Sequence, residues 1–547
     1  MTNSADPPRP QGRFERLERW LCWVAIVLGL VWRLFLSAGS FDREFDGFQG
    51  AFFAQCSVNY ERLGFDALDG YPVANLSAQA EDSSTWYVYP NHSPVVPWLA
   101  WGSARAFGPK GWSTAWERQE APVGLEFAIR LPFLIAYGLA LAGLVLFVRA
   151  LGAPRAAPIA GALYALAPAG VLYGGLANYE NPSLAGLMLG LAAFAAHLKR
   201  PSPARLALAC LGFACATAVT FAPAFFLPFV FLFGLIEAGR RGVLSAVAVS
   251  ATAMAPIALH GIASARVLGS LDLAPGSLMD RAQNLMAPLL DGSVPFSRWL
   301  ATQGQALLSH FGITLIVLAS LGALLAAALA MGSGRNRAAA RGAWLLLAGG
   351  ALVQLGFYRH TADPQENFLL NLLPGACAAG SLALSWLAQK LEASLRAPAF
   401  AFAALTPVLT ALAVEASGLV ERFRGDHLPL PIETGNELAS LLPKGTIGWY
   451  PSELGFNVAV HYYAWRTMIP VSAATESSPE TYTHASANAK AFGLEAAPVS
   501  LVLPKQPSPK TQAAIDRIAA DLEGLKGSYL DEIQASTANY QAYVLLP

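Results

Sequence analysis

Apolar runs of about 20 residues recur along most of this chain, and each is long enough to cross the hydrocarbon core of a bilayer as a helix. About eleven can be read: 20–38, 126–149, 156–175, 182–198, 204–220, 222–237, 243–262, 310–331, 342–358, 367–388 and 398–417. Composition closes the alternatives. Apolar residues make up 54% of the 547 and charged ones 13%, against roughly 25% charged in an average soluble protein. Mean hydropathy is +0.43. The 36 basic and 36 acidic residues cancel, which leaves no basic face for nucleic acid and no charge-driven disorder. A polytopic α-helical membrane protein remains.

Arginine and lysine sort the loops into two classes. Arg9, Arg13, Arg16 and Arg19 precede the first run, and Arg149 and Arg155 separate the second and third. Lys199, Arg200 and Arg205 lie between the fourth and fifth, Arg240 and Arg241 after the sixth. Arg335, Arg337 and Arg341 follow the eighth run, Lys390 and Arg396 the tenth. These are alternate, short loops, so the positive-inside rule puts the N-terminus (1–19) in the cytoplasm and the C-terminus outside. The run 20–38 is too long for a signal core and no small-residue cleavage site follows before Phe41-Asp42, so it reads as a retained span. The five cysteines show neither zinc nor disulfide spacing.

The long loops fall outside. A first loop covers about 39–125, another about 263–309, and a tail covers 420–547. Short β-type runs in the tail (TIGWYP, TMIPV, VSLVLP, YQAYVLLP) alternate with helical patterns, including Lys510–Leu525 with its apolar residues at helix spacing. That predicts a small extracytoplasmic α/β domain after a membrane domain over 20–417.

Chemistry-bearing residues gather at the outer ends of the runs. FDREFDGFQGAFFAQ sets Asp42, Glu44 and Asp46 at the membrane surface, ahead of an aromatic stretch suited to an interfacial helix. WYVYPNHSPVVPWLAWG carries His92 among interface-type aromatics. LANYENPSLAG holds Glu180 in a tight turn at membrane depth, where a carboxylate needs a partner or a cavity. FYRHTADPQENFLLNLLPG supplies Arg359 and His360, groups suited to a phosphate. Solvated helix flanks, a dipole-stabilised first-turn acid and snorkelling basic side chains account for the same residues without a site. No Walker, GxGxxG, HExxH or GxSxG pattern is present, so no nucleotide cofactor is expected.

Four features together resemble the GT-C glycosyltransferases that use lipid-linked sugars. The likeness is to family 39 and its bacterial relatives, the protein mannosyltransferases and lipid A aminoarabinose transferases. They are the acids after the first run with the helix ending near NYERLG, and the Asn-His-Ser-Pro element leading to Glu126, Arg130, Leu131 and Pro132. The others are Glu180-Asn181-Pro182, and the stretch from Glu366 to Pro374. The paired Asp-Glu usual in that family is spread here over Asp42, Glu44 and Asp46, and Ser93 displaces a proline beside His92.

The resemblance implies a GT-C membrane protein of about eleven helices in the bacterial inner membrane. It implies transfer of a sugar from a polyprenyl-phosphate donor at the outer face, to an acceptor the sequence does not name. Asp46 is expected as the base, with Asp42 and Glu44 in reserve and Glu180 orienting the acceptor. His92, Arg130, Arg359, His360 and Glu366 are expected to bind substrate. Whether a divalent metal ion takes part is left open, with Asp46, His92 and Glu180 as its donors. The expected partners are the lipid-linked donor and membrane lipids. A lipid-linked glycan ligase or polymerase, a transporter or flippase of lipid-linked sugars, and a non-catalytic scaffold are the competing classes.

Overall fold

The computed structural model describes residues 13–39, 41, 44–68, 70–73, 88, 93–115, 121–122, 124–268, 296–331, 336–357, 366–395, 399–425, 431–442, 447–451, 454, 458–465, 467–471, 499–507, 509, 511–513, 515–516, 533–537 and 539–545. They form two compact units. One comprises 1–36, 133–175 and 179–422, the other 37–132, 176–178 and 423–547.

The first unit is helical. Helix α1 (Arg13–Ser37) shows why. Cys22, Ala25, Ile26, Arg33 and Leu36 are buried on one face, while Trp20, Trp23, Val27, Leu28, Val31, Leu34 and Phe35 stand exposed on the other. Only a bilayer makes an exposed apolar stripe of that length stable. Among the described residues seven helical segments are long and apolar enough to cross: Arg16–Ser37, Leu125–Ala150, Glu180–Lys199, Ala222–Val267, Leu300–Met331, Leu369–Leu391 and Ala404–Glu421.

Eleven and seven differ because the third run is split, the fifth is short, the sixth and seventh lie in one segment, and the ninth, helix Arg337–Phe357, is not among the seven. Ala167 (φ −56°, ψ 136°) ahead of Pro168 splits the third run into two helices, Ala156–Leu166 and Pro168–Tyr173. The fifth, Pro203–Val219, has 17 residues. The sixth and seventh runs are two helices within Leu227–Leu268 that meet at Gly239 (φ 56°, ψ −137°). There the chain doubles back so tightly that the Gly234 and Gly242 backbones touch. Phe296–Met331 likewise breaks at Gly312 (φ 73°, ψ 156°).

Close crossings hold these helices together, because apolar lipid gives them no hydrophobic reason to associate. Gly186 and Gly190 of Glu180–Lys199 meet Gly212 and Ala216 of Pro203–Val219 with no room for another Cβ. In the basic loops Arg155 grips the Glu18 carboxylate (2.6 Å) and Arg341 that of Glu237 (2.8 Å).

In the second unit α2 (Glu44–Leu63) and α3 (Val95–Phe107) pack together. Residues 50–60 of α2 are buried on every face instead of presenting one side to the interface. Helix Val458–Ala464 of the tail and α3 cover them. The tail builds a five-stranded sheet in the order Thr467–Val471, Ile447–Pro451, Val499–Pro504, Tyr540–Leu545, Ile533–Ser536. The first three strands run parallel (Ile447 opposite Thr467 and Val499), and the last two are antiparallel (Val499 opposite Leu545). Leu438, Leu441 and Leu442 close its core over Tyr450, Val502 and Ala542. All four β-type runs are strands. Ile533–Ser536 was too short to read, and most of Lys510–Leu525 lies outside the described residues.

Candidate active site

The acidic segment begins in the second unit. Glu44 and Asp46 lie in the first turn of Glu44–Leu63, where the helix dipole favours carboxylates. Asp42 and His92 lie outside the described residues, as do Arg359 and His360. The backbone leading into the acids is held by side chains from far away in the sequence.

Glu126 and Arg130 stand one helical turn apart, on one face of the start of Leu125–Ala150. Arg130 is buried, its Nη1 donating to the carbonyl of Ser37 (3.1 Å) and to that of Gly39. Those oxygens lie at and just past the C-terminal end of α1, where a cation is favoured. Its guanidinium also lies 4.9 Å over the Phe41 ring. Phe41 is fully buried and meets the Tyr462 ring edge-on at 5.5 Å. The Phe41 amide donates to the Tyr463 hydroxyl at 2.7 Å, and that hydroxyl donates to Glu126 Oε1 at 3.1 Å. The other carboxylate oxygen accepts the Gly124 amide at 2.9 Å. Burial, and then the neighbouring Glu126 charge, push the Tyr463 phenol far above its ordinary pKa, so it stays a donor.

A second polar cluster forms in the first unit. Glu180 opens helix Glu180–Lys199 and is 2% exposed. Next to it, Asn181 Nδ2 donates at 2.9 Å to the carbonyl of Tyr173, the last residue of Pro168–Tyr173. The Tyr173 ring stacks on His310 (5.8 Å, 17°). His310 Nδ1 is 2.9 Å from the Ala306 carbonyl. The Ser309 hydroxyl lies 2.7 Å from the same nitrogen, and Nε2 lies 3.2 Å from the Tyr173 hydroxyl, so both ring nitrogens are engaged whichever carries the proton. Two residues on, the break at Gly312 frees the Thr314 amide, and Glu415 Oε1 accepts from it (3.2 Å) and from its hydroxyl (2.9 Å).

The turn Glu366–Asn371 packs against Pro168–Tyr173, Glu180–Lys199 and Phe296–Met331. Two segments singled out from sequence, those of Glu180 and Glu366, therefore share one cluster. The segment of Glu44 and Asp46 and the side chain of Arg130 share the other.

Sequence reasoning missed Tyr462, Tyr463, Tyr173 and His310 as site residues. The aromatic run His461-Tyr462-Tyr463-Ala464-Trp465 was the only available signal for the first pair. Among the described residues no group of three or more His, Cys, Asp or Glu comes together to hold a metal ion. Of the expected metal set His92 lies outside the described residues, and Glu180 belongs to no such group among the described ones.

No family profile and no curated protein matches the sequence. Solved structures match its fold. The Archaeoglobus fulgidus oligosaccharyltransferase, solved with zinc and sulfate, matches with a TM-score of 0.58 at 15% identity, over 87% of this chain and 67% of that one. The same enzyme tethered to an acceptor peptide with the NVT sequon gives 0.56 at 12% identity, over 96% and 74%. ArnT of Cupriavidus metallidurans bound to undecaprenyl phosphate gives 0.52 at 13% identity, over 96% of this chain and 98% of that one. The chain is an α-helical polytopic membrane protein with the GT-C glycosyltransferase fold.

Proposed function

We propose that this protein is a membrane glycosyltransferase that moves a sugar from a polyprenyl-phosphate donor to an acceptor hydroxyl or amine at the outer face of the bacterial inner membrane. The observation that carries this reading is coverage. The chain accounts for 98% of the ArnT solved with undecaprenyl phosphate, but for 67% of the oligosaccharyltransferase. The second likeness favours, as the alternative, a transferase of whole glycans from lipid pyrophosphate.

In the proposed reaction Asp46 takes the acceptor's proton as its oxygen or nitrogen attacks the anomeric carbon. The bond from that carbon to the phosphate oxygen breaks, and the lipid phosphate leaves. Its charge is met by Arg359 and His360, with His92 and Glu366 contacting the sugar or its phosphate. Glu180 orients the acceptor. One displacement with one base inverts the anomeric centre. Arg130, its guanidinium engaged on backbone carbonyls, acts on the acidic segment instead of on the donor.

Turnover and donor binding measured side by side for Asp42→Asn, Glu44→Gln, Asp46→Asn and Glu180→Gln test it. Asp46→Asn is expected to lower turnover by about 10²–10⁴-fold while donor binding survives. Normal turnover in Asp46→Asn with a dead Asp42→Asn or Glu180→Gln moves the base to that residue. Four active variants would remove the chemical basis of the reading.

A further inference from the structure

Between the first span and the acids in sequence, three backbone groups, of Ser37, Gly39 and Phe41, are held by side chains. The Ser37 and Gly39 carbonyls are held by Arg130, and the Phe41 amide by Tyr463, which follows it by 422 residues. The Phe41 side chain is enclosed as well, by the Tyr462 ring, the Arg130 guanidinium and the backbone of Gly50, where a Cβ would strike the phenyl ring. A hydrogen bond from Tyr462 to the Pro122 carbonyl (3.3 Å) and the Glu126–Gly124 contact tie the two tyrosines to the lead-in of Leu125–Ala150. The residue that follows Phe41 is the first of the three acids.

We propose that Tyr463, with Glu126 and Arg130, is a positioning residue: the tail reaches back to lock the backbone at Phe41, immediately ahead of the three acids in sequence. The consequence for sugar transfer rests on the proposed function, but the lock itself does not. A carboxylate that must meet a bound acceptor gains from being fixed before substrate arrives, because a misplacement near 1 Å lowers a rate by about 100-fold. Tyr463 donates to Glu126 and accepts from Phe41, so one hydroxyl links the tail, the second span and the acidic segment. Phenylalanine at 463 keeps the ring against Tyr462 and removes both bonds.

The experiment compares wild type, Tyr463→Phe and Glu126→Gln by hydrogen exchange and by steady-state kinetics with a polyprenyl-phosphate hexose. In Tyr463→Phe the amides of 38–50 are expected to exchange at least 10-fold faster, while those of strand Ile447–Pro451 keep their protection and report an intact sheet. Turnover is expected to fall by about 10–100-fold with the KM for donor unchanged, since the donor's phosphate is held elsewhere. Glu126→Gln still accepts from Tyr463 and is expected to lie between the two. Unchanged exchange over 38–50 in both variants overturns the lock. Faster exchange with undiminished turnover overturns its positioning role. If wild type cleaves no such donor, the function reading fails and the exchange result alone decides the lock.

Discussion

Arg33 shows what a single residue's surroundings decide. A charge in the first span reads from sequence as a feature of transporters, which carry ions and substrates past intramembrane charges. Its guanidinium is instead fully buried and bonded to the carbonyls of Gly29 (2.5 Å), Ala165 (2.8 Å) and Gly170 (2.9 Å) and to the Tyr137 hydroxyl (2.7 Å). Ala165 and Gly170 flank the break at Ala167-Pro168, where helical carbonyls lose their partners. Arg33 is a staple across that break. Arg33→Met should strand these acceptors in a membrane interior and destabilise the protein by about 3 kcal/mol or more, read as a lower unfolding temperature in detergent. An unchanged unfolding temperature would mean the break is held by packing alone. That Arg33 exists was plain in the sequence. Its meaning was not, because three of its four partners lie 104 to 137 residues away.

Elements were the most legible level. A lipid-facing helix must satisfy its own backbone and expose apolar side chains, so its sequence announces it. The tail strands announced themselves by β-type composition. What escaped was the junction at Gly312, where a positive φ kinks Phe296–Met331, whereas the hairpin at Gly239 falls between two runs that the sequence already separates. Helix Val458–Ala464 escaped too, although it covers α2.

That helix also carries a pH response. His461 shares a hydrogen bond with Tyr450 of the first strand at 3.2 Å, and burial lowers its pKa to about 4, while burial raises that of Tyr450 to about 12. An unfolded histidine takes its proton near pH 6.5. Between those values the unfolded state binds more protons, so the stability of this element is complete above pH 6.5 and is lost as the pH falls toward 4. Exchange protection of Ile447–Pro451 should fall over that window in wild type and stay flat in His461→Gln. Equal slopes in the two would show that another group titrates.

At the scale of the molecule, the residues that suggested an active site are distributed between two units, Glu44, Asp46 and Arg130 in one and Glu180 and Glu366 in the other. The sequence showed them as acids near the ends of apolar runs. It could not show which distant groups restrain them, since Tyr463 follows Glu126 by 337 residues and His310 follows Tyr173 by 137. The GT-C fold was legible as an ensemble of weak motifs over nearly the whole chain, and the fold comparison bears it out. A fold hosts many chemistries, so the step from GT-C architecture to sugar transfer is decided by bond cleavage. Purified protein in a bilayer, given a polyprenyl-phosphate hexose labelled in the sugar and a mixture of envelope acceptors, supplies that measurement. The account predicts release of free polyprenyl monophosphate matched by label on the acceptor, with the anomeric centre inverted. Label that crosses the bilayer still attached to its lipid, or transfer only from a pyrophosphate-linked glycan, would contradict it.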